Sequence, residues 1–259
     1  MNNLPDRTSG TTRRGLAAVL GLGALAVAGY RSGWLDPLLP GGKTEFEPMP
    51  GLPGYRFVKG GRVTASGVPL FGLDSEIPAG LADAQAELER DFCGALFRGQ
   101  QKAGLVPVAY FFDFQCPICR RLTPRLRVLE GVTITLHDLA GLGPVSETAA
   151  RAAIAADMQG AGDAFHDRLM RARFQADETY VAALAETMGL DAGRFLADMS
   201  SDATTRRMWL SRALAGRFAM PGTPGLVIGR WVIMGDVNDV TLRRLVAEEL
   251  RDPGPCPAG

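Results

Sequence analysis

Histidine and cysteine are scarce in this chain, and their scarcity excludes several kinds of site. The 259 residues include two histidines and four cysteines: His137, His166, Cys93, Cys116, Cys119 and Cys256. Two histidines are too few for a His-rich metal centre. No G-x-S-x-G sequence occurs, so the nucleophile turn of an α/β-hydrolase is absent. We interpret both histidines as ordinary surface or half-buried residues.

The sequence also has no excess of positive or negative charge. Lys+Arg 28 and Asp+Glu 28 cancel, which leaves a formal net charge of +0. Sequence-independent binding to nucleic acid requires a surplus of positive charge, so no nucleic-acid partner is expected. The content of 46% hydrophobic and 22% charged residues is typical of a folded chain.

One apolar run stands near the amino terminus, at residues 15–30, directly after Thr12-Arg13-Arg14. A helix of that length spans about 24 Å, which is shorter than the ~30 Å hydrocarbon core of a bilayer. Small residues end the run around Ala28, as at a signal cleavage site. We therefore predict that residues 1–28 form an export signal of the twin-arginine type and that the protein is periplasmic. An uncleaved membrane anchor is the alternative.

Residues 29–78 form an extension rich in proline and glycine. This composition predicts a linker or a wrap over the surface, with at most a small hairpin made by residues 55–58 and 62–64.

The remaining chain alternates between strand and helix patterns. Hydrophobic periodicity predicts a helix over 80–98, a buried strand over 106–114, a helix from Pro117 and a strand from Val132. Helical periodicity then returns in four pieces, followed by a hairpin and a last helix capped by Asp239. The predicted ranges of the four pieces and the hairpin strands are 145–158, 161–174, 177–188, 191–216 with a break near Ser200, 226–228 and 231–234.

The Cys116-Pro117-Ile118-Cys119 motif stands between the buried strand and the helix that follows it. A C-x-x-C pair by itself suits half of a zinc site, a structural disulfide or a redox pair. Zinc needs four closed ligands, and the other cysteines and histidines do not have the required spacing. A cysteine at a helix N-terminus favours the redox interpretation, because unpaired N–H groups and the helix dipole stabilise its thiolate. Cys119, one turn further on, would resolve the mixed disulfide.

A second motif, Gly222-Thr223-Pro224, stands immediately before the predicted hairpin. An X-Pro bond at the start of a strand can be cis, and it then leaves the preceding backbone open for pairing with an extended peptide. The plainer interpretation is a proline turn. Because the motif follows the cysteine pair in the expected order, we predict that Thr223 and Pro224 bind substrate, with Met220 in an apolar groove beside them.

The sequence from Phe111 to Cys119, the long helical insertion and Gly222-Thr223-Pro224 resemble the DsbA-like thiol:disulfide oxidoreductases of the thioredoxin superfamily. The resemblance covers roughly residues 79–251. It implies an α/β, thioredoxin-like fold over residues 79–259, with a helical domain at about 142–220 inserted before the cis-Pro loop.

The resemblance also implies an activity and its partners. A catalytic Cys116–Cys119 disulfide would pass to unfolded or thiol-bearing exported proteins, and a DsbB-like or DsbD-like membrane protein would act as the redox partner. We expect no cofactor, no metal and a monomer.

Two positions depart from the family pattern. Ile118 replaces the common histidine of the dipeptide, and Tyr110 stands six positions before Cys116, where members often carry an acidic residue. We therefore expect Cys116 to be less acidic than in strong oxidases. One alternative to an oxidase is a periplasmic reductase or isomerase of the same fold that serves a dedicated client. Another is a non-catalytic binding module in which the Cys116–Cys119 bond is only structural.

The other two cysteines, Cys93 and Cys256, form a spare pair in an oxidising compartment. We predict a structural disulfide between them that pins the carboxyl-terminal tail. The alternative is a second redox centre that relays electrons to Cys116–Cys119.

Overall fold

The computed structural model describes residues 46–58, 60–65, 78–172 and 175–256. The predicted export signal, residues 1–28, lies outside these ranges. No helix within them combines the length and the hydrophobicity that a membrane span needs.

Strands and helices follow one another in the order expected of an α/β domain. Within the described ranges they are β1 (Phe46–Pro48), β2 (Arg56–Val58), β3 (Thr64–Ala65), α1 (Ala79–Arg90), α2 (Phe92–Phe97), β4 (Val106–Phe112), α3 (Pro117–Arg127), β5 (Val132–Asp138), α4 (Pro144–Met158), α5 (Gly162–Arg171), α6 (Glu178–Thr187), α7 (Ala192–Met199), α8 (Asp202–Arg217), β6 (Gly222–Thr223), β7 (Gly225–Ile228), β8 (Trp231–Met234) and α9 (Asp239–Arg251).

A six-stranded sheet with the order β1-β2-β8-β7-β4-β5 forms the centre of the fold. β4 pairs parallel with β5 and antiparallel with β7, and all seven of its residues are buried. Its side chains alternate between two hydrophobic clusters, with Tyr110 and Phe112 in one and Ala109 and Phe111 in the other. The uninterrupted apolar run of β4 therefore reflects a strand covered on both faces.

Five helices, α4 to α8, stand between β5 and β6. Side-chain caps mark where three of them begin: Asp177, Asp191 and Ser201 each accept a hydrogen bond from the backbone N–H three residues further on. The last helix of this block ends at Arg217, and β6 follows it. The peptide bond after β6, between Thr223 and Pro224, is cis. The predicted fold class, an α/β thioredoxin-like fold with a helical insertion before the cis-Pro loop, is confirmed.

The interpretation of residues 29–78 as a linker with a small hairpin is wrong for the part that the structure describes. β2 pairs parallel with β8 instead of with β3, and β3 pairs antiparallel with β6. Pairing with β8 places Val58 in the large hydrophobic core with no exposed surface, a degree of burial that an isolated hairpin could not provide. The folded domain thus begins before residue 79.

Two local expectations need correction, and a third is met. The helix expected over 80–98 is two helices, because the side chain of Asp91 accepts the N–H of Gly94 and starts α2. Asn238, not Asp239, caps α9 through the N–H of Thr241. The expected break near Ser200 does separate α7 from α8.

Both histidines are buried, so their interpretation as surface or half-buried residues is wrong. His137 stacks on Phe111 with ring centroids 4.7 Å apart, and its Nε2 lies 2.8 Å from the carbonyl oxygen of Leu96. His166 packs against Phe112. Burial lowers the pKa of His137 well below its ordinary value and that of His166 to about 3, so both rings are neutral at pH 7.

Candidate functional site

A tight turn carries the chain from the end of β4 to Cys116. The carboxylate of Asp113 is fully buried and holds this turn in place. It accepts hydrogen bonds from the N–H of Gln115 at 2.7 Å, the hydroxyl of Ser146 at 2.7 Å and the N–H of Gly141 at 2.8 Å. The N–H of Leu142 is a fourth donor, at 3.1 Å. The turn is thereby fastened both to the loop after β5 and to the first turn of α4.

Cys116 is the N-cap residue of α3. Its backbone is extended, with φ −75 and ψ 113, and Pro117 occupies the first helical position. The N–H of Cys119 donates to the sulfur of Cys116 at 3.2 Å. The sulfur therefore stands in the position of a capping oxygen and accepts one of the unpaired N–H groups at the start of the helix.

The pKa values of the two cysteine thiols are shifted in opposite directions. The pKa of Cys116 falls from its ordinary value to about 5, and the hydrogen bond from the Cys119 side chain is the largest cause. Burial opposes this shift, while Thr223, Thr64 and the N–H of Cys119 support it. Burial and the hydrogen bond to Cys116 raise the pKa of Cys119 far above its ordinary range. At pH 7 the pair therefore consists of a Cys116 thiolate and a Cys119 thiol.

The cis-Pro loop lies against Cys116. The carbonyl oxygen of Thr223 is 3.6 Å from the sulfur of Cys116, and Thr223 is itself buried. The structure thus brings together Cys116, Cys119, Thr223 and Pro224. Met220 is buried beside this loop: a Cβ added to Gly225 would lie 2.5 Å from its sulfur.

Met220 also lines a cavity of about 1320 Å³. Leu139 and Pro144, on the loop after β5, line it as well. Charged side chains, among them Glu89 and Arg212, share the lining, so the cavity beside Met220 is not the purely apolar groove that was expected.

Sequence reasoning missed Thr64. Its Oγ1 lies 3.4 Å from the sulfur of Cys116, because β3 pairs with β6 in the register Thr64↔Thr223. The two residues are far apart in the chain, and no local pattern indicates such a contact. A hydroxyl at this distance can donate a hydrogen bond to the thiolate.

Tyr110, at the position where family members often carry an acid, lies behind the cysteine pair. Its hydroxyl donates to the carbonyl oxygen of Cys119 at 3.2 Å and lies 3.3 Å from Oγ1 of Thr123. Burial raises the pKa of Tyr110 well above its ordinary value, so the phenol stays protonated. This side chain fastens α3 to β4 without adding charge.

Cys93 and Cys256 are bonded to each other in the structure, with their Cα atoms 5.5 Å apart. The bond joins α2 to the segment after α9. The hydroxyl of Tyr55 lies 3.2 Å from the sulfur of Cys256. Cys256 packs in the cluster on the Phe111 face of the sheet, whereas Cys116 and Cys119 pack in the cluster on the Tyr110 face.

Comparison with known proteins gives the family. The model of the DSBA-like thioredoxin domain matches residues 124–247, a range that includes the cis-Pro loop but starts after Cys119. A thioredoxin-like oxidoreductase from Silicibacter pomeroyi DSS-3 is 33% identical, with a TM-score of 0.57, and the alignment covers 61% of this chain and 97% of that chain. The chain belongs to the DsbA-like thioredoxin family. The predicted resemblance and the enzyme class, thiol:disulfide oxidoreductase, are confirmed.

Solved structures with lower sequence identity share the fold. The thiol-disulfide exchange protein α-DsbA2 from Wolbachia pipientis is 19% identical, with a TM-score of 0.57 over 67% of this chain and 99% of that chain. The catalytic domain of Proteus mirabilis ScsC is 21% identical, with a TM-score of 0.54 over 66% of this chain and 98% of that chain. No curated protein matches the chain.

Proposed function

We propose that this DsbA-like protein is an exported oxidase that passes the Cys116–Cys119 disulfide to thiol-bearing proteins in the periplasm. The difference in acidity between the two sulfurs carries this proposal. A thiolate with a pKa of about 5 stabilises the reduced form, and stabilising the reduced form makes the disulfide more oxidising. The value lies between the ~7 of thioredoxin and the ~3.5 of DsbA.

The exchange follows from the positions of the two sulfurs. A client thiolate attacks the sulfur of Cys116, and the bond from Cys116 to Cys119 breaks. Cys119 leaves and takes up a proton, because burial raises its pKa. A second client thiolate then attacks the client sulfur of the mixed disulfide, and Cys116 departs as a stable thiolate. The client loses two electrons and gains a disulfide, and the enzyme is left as a dithiol that a membrane redox partner reoxidises.

The cis-Pro loop supports a role in holding the client. Gly222 and Thr223 form a strand next to Cys116, and an extended peptide can pair with the edge of such a strand. We assign client binding to Thr223 and Pro224 on this ground.

The reduction potential of the Cys116–Cys119 pair, measured by equilibration with glutathione, tests the direction of electron flow. We expect a value nearer to about −120 mV, as for strong disulfide donors. A value near about −270 mV would instead assign the protein as a reductase with an electron-delivering membrane partner.

Substitution of each cysteine tests the assignment of roles. Cys119→Ser should accumulate a mixed disulfide between Cys116 and a client peptide, and Cys116→Ala should form none while its unfolding transition stays cooperative. A non-catalytic module would instead show no exchange in the unaltered protein, and Cys116→Ala would only lose the fold. Export is tested separately by R13K/R14K, which should retain the protein in the cytoplasm if the signal is of the twin-arginine type.

A further inference from the structure

Part of the amino-terminal extension lies on the strand edge next to Cys116. β3 pairs antiparallel with β6 in the register Thr64↔Thr223 and Ala65↔Gly222. Among the described strands, β6 pairs with β3 alone and does not join the six-stranded sheet. The protein's own chain therefore occupies the backbone edge that immediately precedes the cis proline.

That edge is where an extended client would have to bind. The client sulfur must come within bonding distance of Cys116, and the carbonyl oxygen of Thr223 lies 3.6 Å from the Cys116 sulfur. A strand added at β6 would bring its side chains to the same place, which Thr64 already occupies with Oγ1 at 3.4 Å. Cys116 is fully buried in this arrangement, although a nucleophile must be reached by its client.

Gly60 and Gly61, which precede β3, lie close against the backbone at the end of β8. The N–H of Gly61 donates to the carbonyl oxygen of Asp236 at 2.9 Å. A Cβ added at Gly61 would lie 2.3 Å from that oxygen, and one added at Gly60 would lie 1.9 Å from the carbonyl oxygen of Met234. Glycine is therefore required at both positions for the chain before β3 to lie this close to the backbone after β8.

We propose that residues 60–65, here called the strap, are an intramolecular substitute for the client strand. The strap pairs with β6 in the resting enzyme, and the Thr64 hydroxyl hydrogen-bonds the Cys116 thiolate. An extended client peptide with a cysteine at the position of Thr64 displaces the strap by pairing with the same edge. This inference rests on the proposed exchange function. The apparent affinity for clients is then reduced by the fraction of molecules in which the strap is bound.

Gly61→Ala is the first test, because its Cβ would collide with the backbone and displace the strap without altering the cysteines or the cis-Pro loop. Gly193→Ala is the matched control, since the nearest atom to its Cβ would be Oδ1 of Asp191 at an ordinary 3.6 Å. The measured quantity is the second-order rate constant for exchange between the oxidised protein and a reduced, extended cysteinyl peptide. We expect an increase of about fivefold or more for Gly61→Ala and no change for Gly193→Ala. Equal rates in Gly61→Ala and the unaltered protein would overturn the proposal.

A second variant keeps the test independent of any folding defect in Gly61→Ala. In a Cys119→Ser background, Thr64→Cys should form an intramolecular disulfide with Cys116 in oxidised glutathione. The two thiols lose two electrons and two protons, and one oxidised glutathione becomes two reduced ones. Arg62→Cys, at an exposed position of the same segment, is the control and should become glutathionylated instead. Glutathionylation without the internal bond in Thr64→Cys would show that the strap does not pair with β6.

Failure of the proposed function has a different signature. If the unaltered protein exchanges no disulfide with the peptide, the assignment as an oxidase fails. The cross-link of Thr64→Cys to Cys116 still reports whether the strap occupies the edge.

Discussion

The backbone N–H of Cys119 donates a hydrogen bond to the sulfur of Cys116 at 3.2 Å, so the two cysteines interact directly in the reduced protein. Because Cys116 is the N-cap of α3, its thiolate occupies the one place where a helix offers unpaired N–H groups. Cys119 lies inside α3 instead of at its N-cap, and burial together with the hydrogen bond to Cys116 raises the pKa of its thiol. The difference in acidity between two neighbouring thiols thus follows from their positions on one helix.

The stability of the reduced protein should depend on pH through Cys116. Its pKa in the folded state, about 5, lies below the ~8.5 of an unfolded cysteine, so the thiolate stabilises the fold fully above about pH 8.5. That contribution, on the order of 3–5 kcal/mol, is lost as the pH falls towards 5. Urea unfolding of the reduced protein and of Cys116→Ser at several pH values should show a difference that grows with pH. A difference that stays constant from pH 5 to 8 would contradict the lowered pKa.

Removal of the Cys93–Cys256 bond should lower stability and leave exchange intact. The bond closes a sequence separation of 163, and the loss of such a constraint costs about 2–5 kcal/mol. The double variant C93S/C256S should therefore unfold at lower denaturant concentration while its exchange rate with a client peptide stays the same. The opposite pattern, with stability unchanged and turnover lost, would identify this pair as a second redox centre.

Asp113 should be essential to the turn that presents Cys116. Its carboxylate accepts four hydrogen bonds, and an amide in its place would point a donor at other donors. We expect Asp113→Asn to destabilise the protein by about 1–3 kcal/mol and to slow alkylation of Cys116. Asp83→Asn, on the exposed face of α1, is the matched control and should have no measurable effect. Unaltered stability of Asp113→Asn would show that these contacts are replaceable.

Some elements followed directly from residue pattern. The continuous apolar run of β4 indicated a strand buried on both faces, and Pro117 after Cys116 indicated the start of a helix. The break near Ser200 was also predicted, and Ser201 caps the helix that begins there. The helix over 80–98 was not divided correctly, since Asp91 caps α2 inside a stretch whose apolar periodicity continues across it.

The acidity of Cys116 was only partly predictable. Because Ile118 and Tyr110 stand where family members often carry a histidine and an acid, Cys116 was expected to be a weaker acid than in strong oxidases. The pKa of Cys116, about 5, lies above the ~3.5 of DsbA. The sequence did not indicate that Thr64 would contribute a hydroxyl to the same sulfur. That contribution depends on a strand pairing between distant parts of the chain.

The sequence by itself determined the family and the place of Cys116 and Cys119 at a helix N-terminus, because these depend on residues within a few positions of one another. Only the tertiary structure decided that β2 extends the central sheet beside β8 and that β3 pairs with β6. Strands of two or three residues are too short to show a recognisable hydrophobic periodicity. The rest of the fold decides which strand edges are free to pair with them. The segment that composition indicated as a linker therefore became part of the sheet and a neighbour of Cys116.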